Sequence, residues 1–414
     1  MDMPASVEIA VVGAGVIGLT IALRLAAEGH EVVLLDPRSP GSGASYGNAG
    51  TLAGYGCIPV GNPGVLRALP QLLLAADSPF ALRWAALPQL APWLLRFMRQ
   101  SLPGAARANA VAMAGLLSNA LASWEDVAVE AEATDLFRAN GCLYLLKNDS
   151  DTSPADWGYR VRAELGVRQS ILTSAEIARL EPGLPPAEGP GLYFEDAVNL
   201  TDPRLLMQRL LAAATGKGAR HVEAEVTGIE ARDGHIALTG TRFTLKGQKV
   251  VIAAGARSKA LAAQLGDAIP LETERGYHIE FATDTPLLNR PVCAADLGFY
   301  MTPMTGRLRV AGTVELGGLE APLNPKRLAL LERGARRYFP GLGNPVDPWL
   351  GFRPSLPDSR PIIGPSQGSA NVIYAFGHGH LGLTLAAVTA RLVADLIGGK
   401  EVPERLAPFS AARY

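Results

Sequence analysis

Cysteine is scarce in this 414-residue chain: only Cys57, Cys142 and Cys293 occur, far apart, with no Cys-x-x-Cys pair and no Cys/His cluster. That argues against a disulfide framework or a structural zinc site and suits a reducing, cytoplasmic compartment. Charge of one sign is lacking too. Lys and Arg number 38 against 39 Asp and Glu, so there is no basic field for nucleic acid and no acidic tail. No run of about 18 uncharged apolar residues occurs, so no membrane span is expected. The first strand-like run begins near Val7, which leaves no room for a cleaved signal peptide. Repeats of solenoid period are missing. What is present is glycine, 45 residues of it, with 48% hydrophobic content. That composition suits a globular α/β protein with many tight turns, long enough for two domains.

The glycines are placed as well as plentiful. Residues 7–12 read as a short buried strand, followed by Gly13-Ala14-Gly15-Val16-Ile17-Gly18 and a helix over about 16–29. Gly13 allows a tight turn, Gly15 lets backbone approach a pyrophosphate, and Gly18 lets the helix pack closely on the sheet. The helix start points its amides at the phosphates. A second strand over 31–35 ends at Asp36, followed by Pro37 and Arg38, and the Asp36 carboxylate can hold ribose hydroxyls. The spacing predicts a dinucleotide site. A small-residue loop then runs from Pro40 through Gly43-Ala44-Ser45 to Asn48-Ala49-Gly50, which allows close backbone approach to a ligand.

Further along, helices are expected over about 65–133, 174–180, 203–214, 325–338 and 381–397. Strands are expected over 141–146, 191–194, 221–229, 235–245, 249–254, 272–281, 291–295, 308–314 and 372–376. Nucleotide-type elements therefore recur at the N-terminus, near residue 250 and at the C-terminus, with a second domain inserted in pieces. The strand 372–376 leads into Gly377-His378-Gly379-His380-Leu381-Gly382-Leu383-Thr384, a second glycine loop opening a helix. One dinucleotide has one pyrophosphate, so this second helix start needs another target. Reduced flavin, negative around N1 and C2=O, would supply it. His378 and His380 lack a third metal ligand, and no metal is expected.

These segments resemble the D-amino-acid oxidase/dehydrogenase superfamily of FAD enzymes, most closely the bacterial D-amino acid dehydrogenases. The resemblance spans nearly the whole chain. It rests on Gly13–Gly18, on Gly43–Ser45 with Asn48–Gly50, on Val251-Ile252-Ala253-Ala254-Gly255 with Ser258, and on Arg275-Gly276-Tyr277-His278. It rests also on Gly351-Phe352-Arg353-Pro354-Ser355-Leu356-Pro357-Asp358, on Pro361-Ile362-Ile363-Gly364 and on Gly377–Thr384.

The resemblance implies an α/β fold: a Rossmann-like FAD-binding domain plus a discontinuous substrate domain with a mixed or antiparallel sheet covered by helices. The FAD domain would comprise 1–64, 195–262 and 346–414, and the cap 65–194 and 263–345. FAD is expected to be held non-covalently. Gly13, Gly15, Val16, Ile17 and Gly18 would face its pyrophosphate, and Asp36 (where the family usually has Glu) its ribose. Val226 would meet adenine, and Ser45, Asn48–Gly50, Ala254, Gly255 and Gly377–Thr384 would border the flavin. By the same resemblance, Arg353 would grip a substrate carboxylate with two parallel hydrogen bonds. Tyr277 and His278 would face the substrate, His380 or His278 would accept a proton, and Tyr55 would form a lid or pocket wall.

The implied activity is removal of hydride from Cα of a D-amino acid. D-Alanine, D-proline and cis-4-hydroxy-D-proline are the candidate substrates, and a quinone or an electron-transfer protein is the acceptor. Three alternatives stand beside it: a peroxide-forming oxidase of glycine or sarcosine, a non-catalytic flavin subunit of a larger complex, and a plain NAD-binding protein. The stretch 65–98 is rich in Leu, Ala, Trp and Pro, with Arg67, Arg83, Arg96 and Arg99 between them. Prolines at 70, 79, 88 and 92 are expected to cut it into short helices. It reads either as a peripheral contact with the inner face of the cell membrane or as helices packed on the protein's own body. Oligomeric state is left open.

Overall fold

A computed structural model describes residues 3–75, 77–147, 156–232, 234–400 and 404–414. Strand Ser6–Val12 is the centre of the first sheet, which has eight strands among the described residues. It pairs in parallel with Val32–Asp36 on one side and Phe243–Ile252 on the other. Arg220–Glu223 and Val372–Phe376 extend the parallel set outward. The first half of Phe243–Ile252 pairs instead with the antiparallel hairpin Gly228–Arg232/His235–Gly240. Parallel strands buried on both faces should be continuously apolar, and Ile9 to Val12 and Val250 to Ile252 are. Helices Val16–Ala27 and Gly382–Ile397 pack together on one face, with Leu19, Ile21, Leu385 and Val393 almost fully buried between them.

The second sheet has nine strands among the described residues, ordered from Val346–Ser355 through Glu272–Ala282, Arg307–Leu316 and Phe299–Met304 outward. Most of its pairs are antiparallel, but Val292–Ala294 runs parallel to Cys142–Leu145, so the sheet is mixed. Helix Pro325–Tyr338 covers one face, its Leu331 buried in one core with Phe281 and Phe299. Fold class follows from these two sheets and their helices.

Several sequence expectations need correction. Residues 346–355, placed by sequence in the nucleotide-binding part with no strand expected, form strand Val346–Ser355, an edge of the second sheet paired with Glu272–Ala282. The strands expected over 235–245 and 249–254 are a hairpin arm and one continuous strand, Phe243–Ile252. Prolines 70 and 92 do not end helices; they lie inside Pro63–Leu74 and Leu87–Gln100. An interior proline costs about 3 kcal/mol. In the second helix, burial of Leu90 and Trp93 against Leu316 offsets it. The other side of that helix is bare at Leu95, 64% exposed, and Trp84 in the short turn before it is 68% exposed. Among the described residues one helical stretch, Gly379–Ile397, is long and apolar enough to cross a membrane, but 67% of its 18-residue apolar window is buried inside the protein.

Candidate active site

A cavity of about 560 Å³ is lined by residues of both sheets. At one end lies the turn after the first strand. Gly13 has φ +108°, and a Cβ there would sit 2.4 Å from the Ala253 carbonyl oxygen. Only glycine fits that conformation in that space. Gly18 presses the helix onto the turn, since a Cβ would lie 1.8 Å from the Gly13 oxygen. Asp36 accepts hydrogen bonds from the amides of Ala14 and Arg38, both at 2.9 Å. Its carboxylate is thereby aimed across the strand end.

The loop over 43–50 forms one wall. Ser45 Oγ accepts from the Val16 amide at 2.8 Å, tying the loop to the helix start. Buried Arg309 donates to the carbonyls of Tyr46 and Asn48, and Thr302 to that of Ala49. The second sheet thus holds the loop that faces the first. Ala254, Gly255 and the turn Gly377–Leu383 close the opposite side. His378 there bonds Thr389 at 3.0 Å, and burial pulls its pKa down to about 3, so it is neutral.

At the far end, Arg353 lies across Gly276. A Cβ on Gly276 would meet Arg353 Cζ at 2.3 Å, so the bare backbone makes room for the guanidinium. Arg353 Nη1 donates to the Thr313 carbonyl at 2.9 Å. Burial lowers the Arg353 pKa, and Glu274, its direct partner across the strand pair, opposes that. His380 Nε2 lies 2.6 Å from Glu274 Oε2. An aromatic wall completes this end: Tyr55 stacks on Phe194 at 3.9 Å, and Tyr144 bonds Tyr300. Burial pushes the Tyr55 phenol well above its ordinary value, so it stays protonated.

The cavity therefore gathers Gly13, Gly15, Val16, Ile17, Asp36, Arg38, Gly43, Ala44, Ser45, Asn48, Ala49, Ala254 and Gly255. It also gathers Gly377–Leu383, Tyr55 and Arg353. Other expected residues stand outside it. Tyr277 is 1% exposed and donates to Glu315 Oε2 at 2.6 Å on the helix-covered face, because strand alternation turns it away from Gly276. His278 is sealed beneath the loop, stacked on Trp349 at 5.0 Å, with its Nδ1 3.4 Å from the Gly47 carbonyl. Burial and Arg309 lower its pKa, so it is a neutral packing residue.

Gly18 is packed beneath the turn, and Pro37 is exposed beyond it. The Gly50 carbonyl accepts from Leu200, and Thr384 Oγ1 accepts from the Ala53 amide at 2.9 Å. Val226 packs against the apolar core of the first sheet and does not border the cavity. His278, Glu280 and Asp347 bring ligand-type atoms within 4.8 Å of one another. Arg307 and Arg309 already occupy the Glu280 carboxylate, so the group reads as an ion-pair network.

A profile of the DAO family, described as FAD dependent oxidoreductase, matches residues 8–396. The chain belongs to that family. It is 37% identical to a D-amino-acid oxidase of Bradyrhizobium diazoefficiens, with both chains covered in full. It is 31% identical to a D-amino acid dehydrogenase of Rhodopseudomonas palustris over 98% of each chain. Glycine oxidase from Geobacillus kaustophilus superposes with a TM-score of 0.77 at 26% identity, over 99% of this chain and all of that one.

FAD is the family's cofactor, and the chain is an FAD-dependent oxidoreductase. The cavity suits that cofactor: its volume lies in the range of cofactor sites, and bare backbone at Gly13 and a carboxylate at Asp36 stand at one end. Sequence reasoning missed Glu274, Tyr144, Tyr300, Arg309 and Trp349. Each owes its place to pairing within the second sheet, and only the alternation of Glu274 with Gly276 offered a local signal.

Proposed function

We propose that this FAD-dependent oxidoreductase oxidises a small D-amino acid at Cα. One observation carries the reading: Arg353 stands in the wall of the cavity whose other end is the Gly13 turn, with space cleared for it by Gly276. A guanidinium fork takes a carboxylate in two parallel hydrogen bonds, which fixes the substrate's orientation. FAD held between these two ends would supply the two-electron acceptor for hydride from Cα, and the product would be an imino acid. Tyr55, Tyr144 and Phe194 line or back the same end and exclude water. The names of the relatives support a D-amino acid. The compact, hydroxyl-bearing wall of Tyr144 and Tyr300 supports D-alanine, D-proline or cis-4-hydroxy-D-proline.

We take FAD to be held non-covalently. Cys293 borders the cavity, but burial pushes its thiol well above the ordinary value, which disfavours the thiolate a covalent link needs. The acceptor in this reading is a quinone or an electron-transfer protein. The bare Trp84 and Leu95 beside Arg96 and Arg99 would lie on the inner face of the cell membrane. Anaerobic mixing with a panel of D-, L- and cyclic amino acids tests the reading: D-amino acids should bleach the flavin and L-isomers should not. A flavin that none of them bleaches points to a non-catalytic subunit instead.

A second reading, a peroxide-forming oxidase, is favoured by the Bradyrhizobium relative's name and the glycine oxidase likeness. Peroxide release under air as fast as turnover with artificial acceptors would establish it.

A further inference from the structure

Glu274 is out of place if the cavity does no more than bind a carboxylate. It is 3% exposed and stands directly across the strand pair from Arg353. A buried carboxylate beside the carboxylate anchor weakens that anchor's pull on substrate, and burying it carries a desolvation cost of its own. Its second partner explains its presence. His380 Nε2 lies 2.6 Å from Glu274 Oε2, while the His380 side chain is 37% exposed and borders the cavity. A carboxylate accepts and cannot donate, so in the neutral imidazole the hydrogen is on Nε2 and the lone pair on Nδ1. Among the described residues Nδ1 has no hydrogen-bond partner.

We propose that Glu274 is a positioning residue that fixes His380 as its Nε2–H tautomer and so offers Nδ1 to the cavity as acceptor of a proton from the substrate amine. The inference rests on the amino acid reading above. The step is a proton transfer only. An ammonium N–H bond breaks, an Nδ1–H bond forms, and the electron pair stays on the amine nitrogen, ready to assist loss of hydride from Cα. Nothing is oxidised in it. Charges balance when it is complete: the substrate carboxylate and Glu274 face Arg353 and the imidazolium.

The surrounding groups favour His380 for this task over its neighbour. Burial acts to raise the Glu274 carboxyl, but His380, Arg353 and Ser355 outweigh it and hold it ionised. Tyr300 lies beyond Arg353, and the Tyr55 phenol in the same cavity stays protonated. His378, two residues before, is buried neutral on Thr389 and faces no carboxylate.

The test uses the flavin-loaded enzyme and two readouts. Long-range ¹H–¹⁵N spectra of the substrate-free protein, assigned with His380→Asn, should show His380 as the Nε2–H tautomer. The Nδ1–H tautomer would overturn the proposal. In rapid mixing with D-alanine or D-proline, the pH profile of flavin reduction should carry an acid limb, because the amine must lose its proton before hydride leaves Cα. Glu274→Gln keeps an acceptor for Nε2–H but removes the charge that favours the imidazolium. The acid limb should therefore move to lower pH, and the plateau rate should fall. A limb unmoved by Glu274→Gln refutes the role. Glu274→Asp, which retains the charge, should return the limb toward wild type. Failure of every amino acid to reduce the wild-type flavin would refute the substrate reading, while the spectra still report on the Glu274–His380 pair.

Discussion

Replacing Gly276 by Ala adds one methyl group and no chemistry, yet it should disable substrate binding. The new Cβ would lie 2.3 Å from Arg353 Cζ, 2.3 Å from Nη2 and 2.6 Å from Nη1. Non-bonded heavy atoms settle at about 3.5 Å or more, so the guanidinium must retreat by about 1.2 Å. The backbone cannot yield instead, because Glu272–Ala282 is paired on both edges, with Arg307–Leu316 and Val346–Ser355. Misplacing a positioning group by about 1 Å costs roughly 100-fold, equivalent to about 2.7 kcal/mol. The assay is titration of the flavin-loaded protein with a simple carboxylate, read by the flavin absorbance shift, followed by anaerobic reduction with D-alanine. Carboxylate Kd should rise roughly 100-fold, with flavin content and thermal midpoint near wild type. Adding Gly276→Ala to Arg353→Ala should change little more, since both remove one interaction. A Kd within about threefold of wild type, in a folded and flavin-loaded variant, would refute the placement of Arg353.

Three further outcomes are expected. Arg353→Ala should weaken the same carboxylate by roughly 100-fold or more, since two charge-assisted bonds contribute about 1.5–3 kcal/mol each. Arg353→Lys, which keeps charge without the fork, should fall between the two, and equal binding by all three would remove Arg353 from the site. Exchanging both Trp84 and Leu95 for Ser should lower co-sedimentation with anionic vesicles by about tenfold or more; wild-type protein that never sediments would end the membrane reading. Asp358 is 1% exposed, and although burial acts to raise its carboxyl, Arg413 at 2.8 Å and Arg360 at 2.9 Å hold it below the ordinary value. A depressed carboxyl contributes stability above about pH 4, which is lost as pH falls through its folded value. Asp358→Asn should therefore cost about 3 kcal/mol near neutrality and progressively less in acid, read from urea midpoints across pH; a constant difference would exclude the linkage.

How much of this could be read from the chain alone depends on how local each signal is. Gly13, Gly15 and Gly18 with Asp36 belong to one strand–turn–helix–strand unit, and the turn sits where the glycines put it. Helix starts are local too: Thr173 and Glu176 form a capping box, Asp202 precedes Pro203, and Asn324 precedes Pro325. Strands Phe299–Met304 and Val346–Ser355 went unread because Pro303, Pro348 and Pro354 argue against strand. The second of these is tolerated as an edge strand, where a missing amide leaves no ladder bond unmade. Which face Tyr277 takes is not legible in the sequence, because alternation gives the period of a strand and not its phase.

That phase is the deepest constraint on the site. A one-residue slip of Glu272–Ala282 would turn every side chain to the opposite face. Gly276 would leave the cavity wall, Glu274 would lose its place beside His380, and Arg275 and Tyr277 would fill the space that Arg353 needs. The far face guards against this. Arg275 donates to the carbonyls of Gly318 and Pro322, Tyr277 donates to Glu315, and Arg83 pairs with the same Glu315. None of these groups borders the cavity, and a buried polar network of this kind adds little net stability. It does penalise every other register, because a slipped strand would strand Glu315 and Arg275 without partners. The polar residues behind the sheet thus set which residues face the cavity in front of it. On this argument Tyr277, though absent from the site, should tolerate Phe poorly: Glu315 would lose a donor, and the damage would reach carboxylate binding through Gly276 and Arg353.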